Sequence, residues 1–296
     1  MQEAKIIPMI YDKAFKSILT SKEVRSYLID IISDVIKIDK EEIRKNIVFK
    51  QNEHNLLGIN EKRKTSDLIV EISYGVINLE MNKDWYDGLF DRNHEYISKI
   101  RENILKEEKR YNKLKKVIQI NFDNFNIYKT EEIILKFEMM NEEKIREKVN
   151  IESYHVILPN ARKKYYNEGI RNALVERLVI MTMEKERELE ELIEKNMELK
   201  PVGEKIIEIS RDEELQGIYD RQEHERMVRN SIMATKLEDS YHKGVNKGIK
   251  EGIKEGIKEG IKEEKKENAK KMKLKNISIE DIIDITGLSK EEIDAL

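Results

Sequence analysis

Two kinds of hydrophobic pattern alternate along the first 160 residues of the chain. Apolar residues spaced three and four apart predict helices at Asp12–Leu19, from Ser21 onward, and from Asp84 to about Arg110. Runs rich in Ile, Val and Phe, bounded by polar clusters, predict strands at Ile47–Glu53, Asp67–Tyr74, Val76–Asn82, Lys116–Phe122 and Glu132–Glu138, with a further candidate at Tyr154–Leu158 that Pro159 would end. Because this order suits a mixed sheet covered by helices, the pattern predicts an α/β fold.

The remainder of the chain is predicted to be almost entirely helical. Residues 161–241 carry apolar positions at helical spacing and are expected to pack on the first domain as an extension. Residues 242–275 form a repeat, and residues 276–296 form a short terminal segment. We therefore expect a mixed-sheet core at residues 1–160, followed by a helical C-terminal extension in three parts.

The repeat has a period of four residues and begins at Gly244, with the sequence GVNKGIKEGIKEGIKEGIKEEKKE. Ile residues form one stripe along a helix of this sequence, and Gly residues form the adjacent stripe. Each Gly costs a helix roughly 1 kcal/mol relative to Ala, so the segment alone is a marginal helix. Two copies packed along the Gly and Ile stripes would be more stable, which predicts a homodimer with a coiled coil. The alternative is a low-complexity linker.

The last 21 residues are predicted to form two short helices joined by a tight turn. Ser278 with Asp281, and Ser289 with Glu292, match capping boxes, and Gly287 stands where a helix C-cap glycine would. The outline resembles a helix-turn-helix, but its net charge of −5 disfavours binding in a DNA groove. The preceding Lys243–Lys275 segment has a net charge of +6 and is the better phosphate partner.

Composition excludes several classes of protein. The 296 residues include 56 Lys and Arg against 59 Asp and Glu and no Cys, so a disulfide framework, a thiol nucleophile and a Cys-based zinc site are excluded. No apolar run approaches the length of a membrane span or a secretory signal, which predicts a soluble, cytoplasmic protein without membrane contact. The absence of a Gly-rich phosphate loop disfavours nucleotide hydrolysis and hydride transfer.

Acidic and amide residues gather in the predicted hairpin at residues 67–82. If Tyr74-Gly75 is its two-residue loop, Asp67 lies opposite Asn82, and Glu80 falls on the same face of the sheet. Neighbouring carboxylates are costly unless a cation lies between them, and Mg²⁺ or Mn²⁺ is the natural occupant. Such an ion can orient a phosphodiester and activate water. The alternative is a polar end of a hairpin whose charges face water.

The segment SDLIVE…INLEMNKDWYDGLFDRNHEYISK…LKKVIQINF resembles the PD-(D/E)XK nuclease family transposases, also called recombination-promoting nucleases. The opening YDKAFKSIL, with Asp12 and Phe15, and the closing TGLSKEEIDAL with its basic repeat resemble the same family. The resemblance implies a restriction-endonuclease-like α/β core and Mg²⁺-dependent cleavage of DNA.

The resemblance also assigns site residues to positions of this chain. The resemblance gives Asp67 as the first metal-binding acid, Glu80 as the second, and Asn82 at the position of the motif's Lys. The backbone carbonyl of Met81 would also face the metal. Asn can orient a water but has no charge, and Lys50 or Lys64 could supply a substitute charge through space. Gln119 lies in a family-typical strand with no assigned role.

The sequence therefore predicts a metal-dependent endodeoxyribonuclease in which Asp67 and Glu80 hold the metal and Asn82 orients the water. Arg92 is among the basic residues that could contact DNA phosphates. Because the motif's Lys is absent, one alternative is a DNA-binding or assembly protein on a degenerate nuclease fold. Another is a nuclease that acts in defence rather than in recombination.

Overall fold

The computed structural model describes residues 4–50, 67–110, 114–147 and 149–296. Its strands are β1 (Val48–Lys50), β2 (Leu68–Ile72), β3 (Gly75–Asn82), β4 (Lys116–Asp123), β5 (Ile134–Phe137) and β6 (Ile151–Ile157). Its α-helices are α1 (Asp12–Leu19), α2 (Arg25–Ile36), α3 (Lys40–Asn46), α4 (Leu89–Glu108), α5 (Leu158–Tyr166), α6 (Ala173–Val179), α7 (Glu186–Lys195), α8 (Lys200–Ser210), α9 (Glu213–Leu274), α10 (Ile279–Thr286) and α11 (Lys290–Asp294).

The six strands form one mixed sheet in the order β1-β2-β3-β4-β6-β5. β1, β2 and β3 pair antiparallel, β3, β4 and β6 pair parallel, and β5 pairs antiparallel with β6. The parallel step from β3 to β4 requires a crossover, and α4 supplies it. The predicted α/β class with a mixed sheet is confirmed.

The two faces of the sheet carry different side chains. One face belongs to the main core, where Phe122 of β4 meets Phe15 of α1 with ring centroids 5.7 Å apart. The opposite face is apolar near the start of β3 and β4, where Val76 and Val117 pack against Ile97, Ile100 and Ile104 of α4. Farther along β3 and β4 this second face becomes polar, and the first half of α4 lies over it.

The hairpin between β2 and β3 corrects the predicted turn. Ile72 pairs with Gly75, so the loop is Ser73-Tyr74 rather than Tyr74-Gly75. A Cβ on Gly75 would lie 2.3 Å from the backbone oxygen of Lys116, so the glycine serves the close approach of β4 and not the turn. Because the loop lies one residue earlier than predicted, the cross-strand partner of each residue lies two positions from the predicted partner. Side chains alternate with a period of two, so every side chain stays on its predicted face.

Other boundaries differ from the pattern for local reasons. Helix α2 begins at Arg25 rather than Ser21, and α4 begins at Leu89, after Gly88 adopts a left-handed conformation with φ of 85°. Pro159 does not end a strand; it stands in the first turn of α5, where proline is well tolerated. Strand β1 covers the start of the predicted Ile47–Glu53 strand, and residues 51–53 lie outside the described ranges.

The chain divides into two compact units, Met1–Arg221 and Gln222–Leu296. In the second unit Ile282, Leu288 and Ile293 form a small core with Ala269 of α9. The predicted caps are confirmed: Ser278 caps α10, Ser289 and Glu292 form a capping box, and Gly287 has φ of 66°. The repeat is helical, as part of α9. Among the described residues, no helix combines the length and the apolar character needed to cross a bilayer.

Candidate functional site

Polar side chains occupy alternate positions of β3 and β4, although both strands are almost completely buried. In the parallel register Asn78 pairs with Gln119, Glu80 with Asn121, and Asn82 with Asp123. Neighbouring partners share a face, so these six side chains form one polar patch toward the carboxyl ends of the strands. Buried parallel strands are normally apolar throughout, which makes the patch a candidate functional site.

Asp67 and Glu80 meet at the edge of this patch. The backbone N–H of Asp67 donates to Glu80 Oε1 at 3.1 Å, and the N–H of Met81 donates to Asp67 Oδ2 at 2.8 Å. The N–H and C=O of a strand residue point to the same side, so the Met81 carbonyl also points toward Asp67. The structure thus brings the two predicted acids together, and the predicted backbone carbonyl lies on the same side of β3 as Asp67.

Burial makes this carboxyl pair electrostatically costly. Burial, followed by the nearby Asp12 charge, raises the pKa of Asp67 above its ordinary value. Burial and the charge of Asp67 raise the pKa of Glu80 to about 8. At neutral pH the pair therefore holds a proton, which a divalent cation binding between the carboxylates would displace.

Two cationic side chains flank the pair. Lys16 Nζ lies 3.3 Å from Asp67 Oδ1, and Arg92 Nη2 lies 3.9 Å from Glu80 Oε2. Of the lysines considered as substitute cations, Lys50 pairs with Glu71 at 2.6 Å, and Lys64 lies outside the described ranges. The pattern missed Lys16 because the helix that carries it is far from the hairpin in sequence.

Asn82 lies beside the acids and connects the site to α4 and β4. Its Oδ1 accepts from Arg92 Nη2 at 2.9 Å, and its Nδ2 donates to Asp123 Oδ1 at 2.8 Å. The amide at the motif's Lys position is therefore held at both ends, and the positive charge beside it belongs to Arg92. The guanidinium of Arg92 also lies over the rings of Tyr86 and Tyr96, at 5.8 and 5.6 Å from their centroids.

The network continues beyond the predicted residues. His155 Nδ1 lies 2.6 Å from Asp123 Oδ2, and Asn121 Nδ2 lies 3.3 Å from His155 Nε2. These distances fit a tautomer in which Nδ1–H donates to Asp123 and Nε2 accepts from Asn121. The sequence pattern did not identify Asp123 or His155 as site residues. The signal available was the alternation of polar residues in VIQINFD, which matches that of VINLEMN in the preceding strand.

Gln119 bridges the two halves of the patch. Asn78 Nδ2 donates to Gln119 Oε1 at 2.8 Å and to Glu80 Oε1 at 3.1 Å, and Gln119 Nε2 donates to Asn121 Oδ1 at 3.0 Å. Asn93 of α4 donates to the same Asn121 oxygen at 2.9 Å. These amide hydrogen bonds therefore connect β3, β4 and α4 and hold Glu80 in position.

The donor set of the site fits a hard divalent cation. Asp67, Glu80 and the Met81 carbonyl provide oxygen ligands, and the buried Asn78 Oδ1 has no hydrogen-bond partner among the described residues. Within those same residues no three His, Asp or Glu side chains converge as a metal cage. Two carboxylates completed by main-chain and water oxygens are typical of Mg²⁺, which keeps much of its hydration shell.

Comparison with known families agrees with the fold. The chain matches the family model of the PD-(D/E)XK nuclease family transposases over residues 9–236. The protein therefore belongs to the PD-(D/E)XK nuclease family transposases, as the resemblance predicted. Searches of curated proteins and of solved structures returned no match.

Proposed function

We propose that the protein is an endodeoxyribonuclease that uses Mg²⁺ or Mn²⁺ to cleave phosphodiester bonds in DNA. The observation that carries the proposal is the buried carboxyl pair of Asp67 and Glu80, flanked by Lys16 and Arg92. A site of this charge pattern suits a divalent cation and the phosphate that it binds. Membership of the nuclease family supports the same conclusion.

Each residue has a distinct role in this proposal. Asp67, Glu80 and the Met81 carbonyl hold the cation, which would polarise the phosphate and lower the pKa of a bound water. Arg92 lies at the mouth of the site and stabilises charge on the phosphate, in place of the motif's Lys. Asn82 orients Arg92, and the second lone pair of its Oδ1 can accept from the attacking water.

A supercoiled-plasmid nicking assay in Mg²⁺, Mn²⁺ and chelator tests the proposal. We expect metal-dependent cleavage that falls by about 100-fold or more in Asp67→Ala and Glu80→Ala. Arg92→Met should lose roughly as much, and Arg92→Lys should recover part of it. Arg101→Met, on the same helix, is the matched control. Full activity in Asp67→Ala would refute this site.

The absence of the motif's Lys favours one second candidate. The protein would then bind DNA or mediate assembly on a degenerate nuclease fold. That function predicts DNA binding that weakens steeply with salt, without nicking in either metal. In the first proposal the nuclease acts in the cytoplasm as a homodimer in recombination, and action on DNA in defence is a further alternative.

A further inference from the structure

A cavity of about 560 Å³ lies beside the polar patch. It is partly open to solvent and is bounded by α4, β4, β5 and β6, together with the loop before β5 and the segment that follows it. Three aromatic rings in its wall stand around His155: the centroids of Phe90, Tyr128 and Phe137 lie 5.1, 5.5 and 5.2 Å from the imidazole. A volume of this size is typical of a small-molecule site, at about 300–1,000 Å³.

The opposite side of the cavity is lined by neutral polar groups. Asn93 and Gln119 each donate one amide N–H to Asn121 Oδ1, and an amide nitrogen carries two. The one carboxylate in the lining, Glu138, is paired with Lys136 at 2.7 Å and Arg146 at 2.9 Å. The described lining therefore combines aromatic and aliphatic side chains with amide donors and acceptors, and it includes no Lys or Arg that would hold a phosphate.

This lining suits a planar, uncharged group with hydrogen-bonding edges. A nucleobase has that chemistry, because its faces stack on aromatic rings and its edges bond to amides. An aliphatic ligand would leave the amide edges unmatched, and an anionic one would meet Glu138. The lining thus favours a nucleobase over either alternative.

The cavity and the carboxyl pair share a wall. Arg92 of the site and Asn93 of the cavity are consecutive on α4, and the Arg92 guanidinium donates to Asn93 Oδ1 at 3.2 Å. Asp123 makes a second link, because it binds Asn82 on one side and His155 on the other. A DNA strand whose phosphate contacts Arg92 would therefore bring an adjacent base to the cavity.

We propose that the cavity binds one unpaired nucleobase of the DNA substrate, extruded from the duplex next to the phosphate that is cleaved. This inference rests on the proposed function and adds a substrate preference to it. Extruding a base breaks its pairing and stacking, and the cost is smallest where pairing is already broken. The protein should therefore prefer DNA with a mismatch to fully paired DNA.

Fluorescence anisotropy of the full-length protein with labelled 30-base-pair duplexes tests the proposal, in chelator so that no DNA is cut. The duplexes are identical except for one central mismatch. We expect the mismatched duplex to bind about tenfold more tightly. Phe137→Ala should abolish this preference, while the salt dependence of binding is retained. Phe137 is 43% exposed, so its truncation should not prevent folding. Tyr241→Ala, at a ring 69% exposed on α9, is the control.

Trp85 provides a second readout. It is the chain's single tryptophan, and its ring centroid lies 5.0 Å from that of Phe90 in the cavity wall. Its emission should change more with the mismatched duplex than with the paired one. Equal binding of both duplexes by the unmodified protein, or a preference that survives in Phe137→Ala, would overturn the inference. Nicking without a mismatch preference would retain the nuclease proposal alone, and a preference without nicking would retain the cavity alone.

Discussion

Among single residues, Glu80 shows the electrostatic cost of burying the carboxyl pair. It is 2% exposed and accepts from the Asp67 backbone and from Asn78, while the Asp67 carboxylate is close by. Its pKa is raised to about 8 in the folded protein, against an ordinary value of 4.5. Folding in metal-free solution therefore takes up a proton at neutral pH.

The sign of the pH dependence follows from this shift. A raised pKa means that the contribution of Glu80 to stability is fully present below about pH 4.5 and is lost as pH rises through about 8. We expect metal-free wild type to lose stability across this range more steeply than Glu80→Gln, by up to about 1.4 kcal/mol per pH unit. The measurement is urea unfolding between pH 5 and 9, in chelator.

Adding Mg²⁺ to the same samples separates a metal ligand from a buried acid. Because the metal needs the ionised carboxylate, it should raise the unfolding temperature of wild type more at pH 8 than at pH 6. Glu80→Gln should show little response, and exposed Glu190→Gln should behave as wild type. A metal response in Glu80→Gln equal to that of wild type would contradict the assignment.

At the scale of elements, β3 and β4 are two parallel strands with matching polar alternation. The sequence predicted both strands and the common face of Asp67, Glu80 and Asn82, because alternation is a local property. It misplaced the hairpin loop because Gly75 looked like a turn residue. Gly75 instead allows the backbone of Lys116 to approach closely. Because Lys116 follows 41 positions later in the chain, the local pattern does not reveal this contact.

Substitution of Gly75 by Ala tests this role. The added methyl would clash with the Lys116 backbone, which cannot move without disturbing the parallel ladder. We expect a loss of about 1–3 kcal/mol in the free energy of unfolding, measured by urea titration. A neutral effect would mean that β3 and β4 tolerate a wider separation.

A glycine inside a helix provides a control for which the free energy of unfolding should rise rather than fall. A Cβ at Gly217 meets nothing within 4 Å, and the residue lies inside α9, outside the repeat. Gly217→Ala should therefore stabilise the helix by roughly 1 kcal/mol rather than destabilise the protein.

At the scale of the whole molecule, long-range contacts complete the site. Lys16 of α1 and Arg92 of α4 contact residues of the hairpin from distant parts of the chain, and His155 of β6 contacts Asp123 of β4. Helix and strand periodicity predicts which side of an element faces inward, but it does not say which elements meet. The common face of Asp67 and Glu80 was thus predictable from sequence, and so was Arg92 as a basic residue available to phosphates. The position of Lys16 and Arg92 beside the acids, and the Asp123–His155 pair, required the fold.

The repeat in α9 presents an unpaired apolar stripe within the described structure. Ile249, Ile253, Ile257 and Ile261 are between 51% and 58% exposed, and the neighbouring Gly positions leave open space. A period of four exceeds 3.6, so the stripe turns by about 40° per repeat around a straight helix. A second copy with the same pitch can follow that stripe, and its backbone can approach closely along the glycines. We therefore propose a homodimer through this segment.

Sedimentation of the full-length chain tests the dimer. We expect a dimer for wild type and a monomer when the four stripe isoleucines are replaced by Gln, because burial of each Ile contributes about 1.5–3 kcal/mol. The matched control replaces Glu251, Glu255 and Glu259 by Gln on the same helix and should remain dimeric. If two sites act together, the monomeric variant should nick plasmid but lose double-strand cutting. If the wild-type chain sediments as a monomer, the dimer proposal is wrong and the repeat is only a linker.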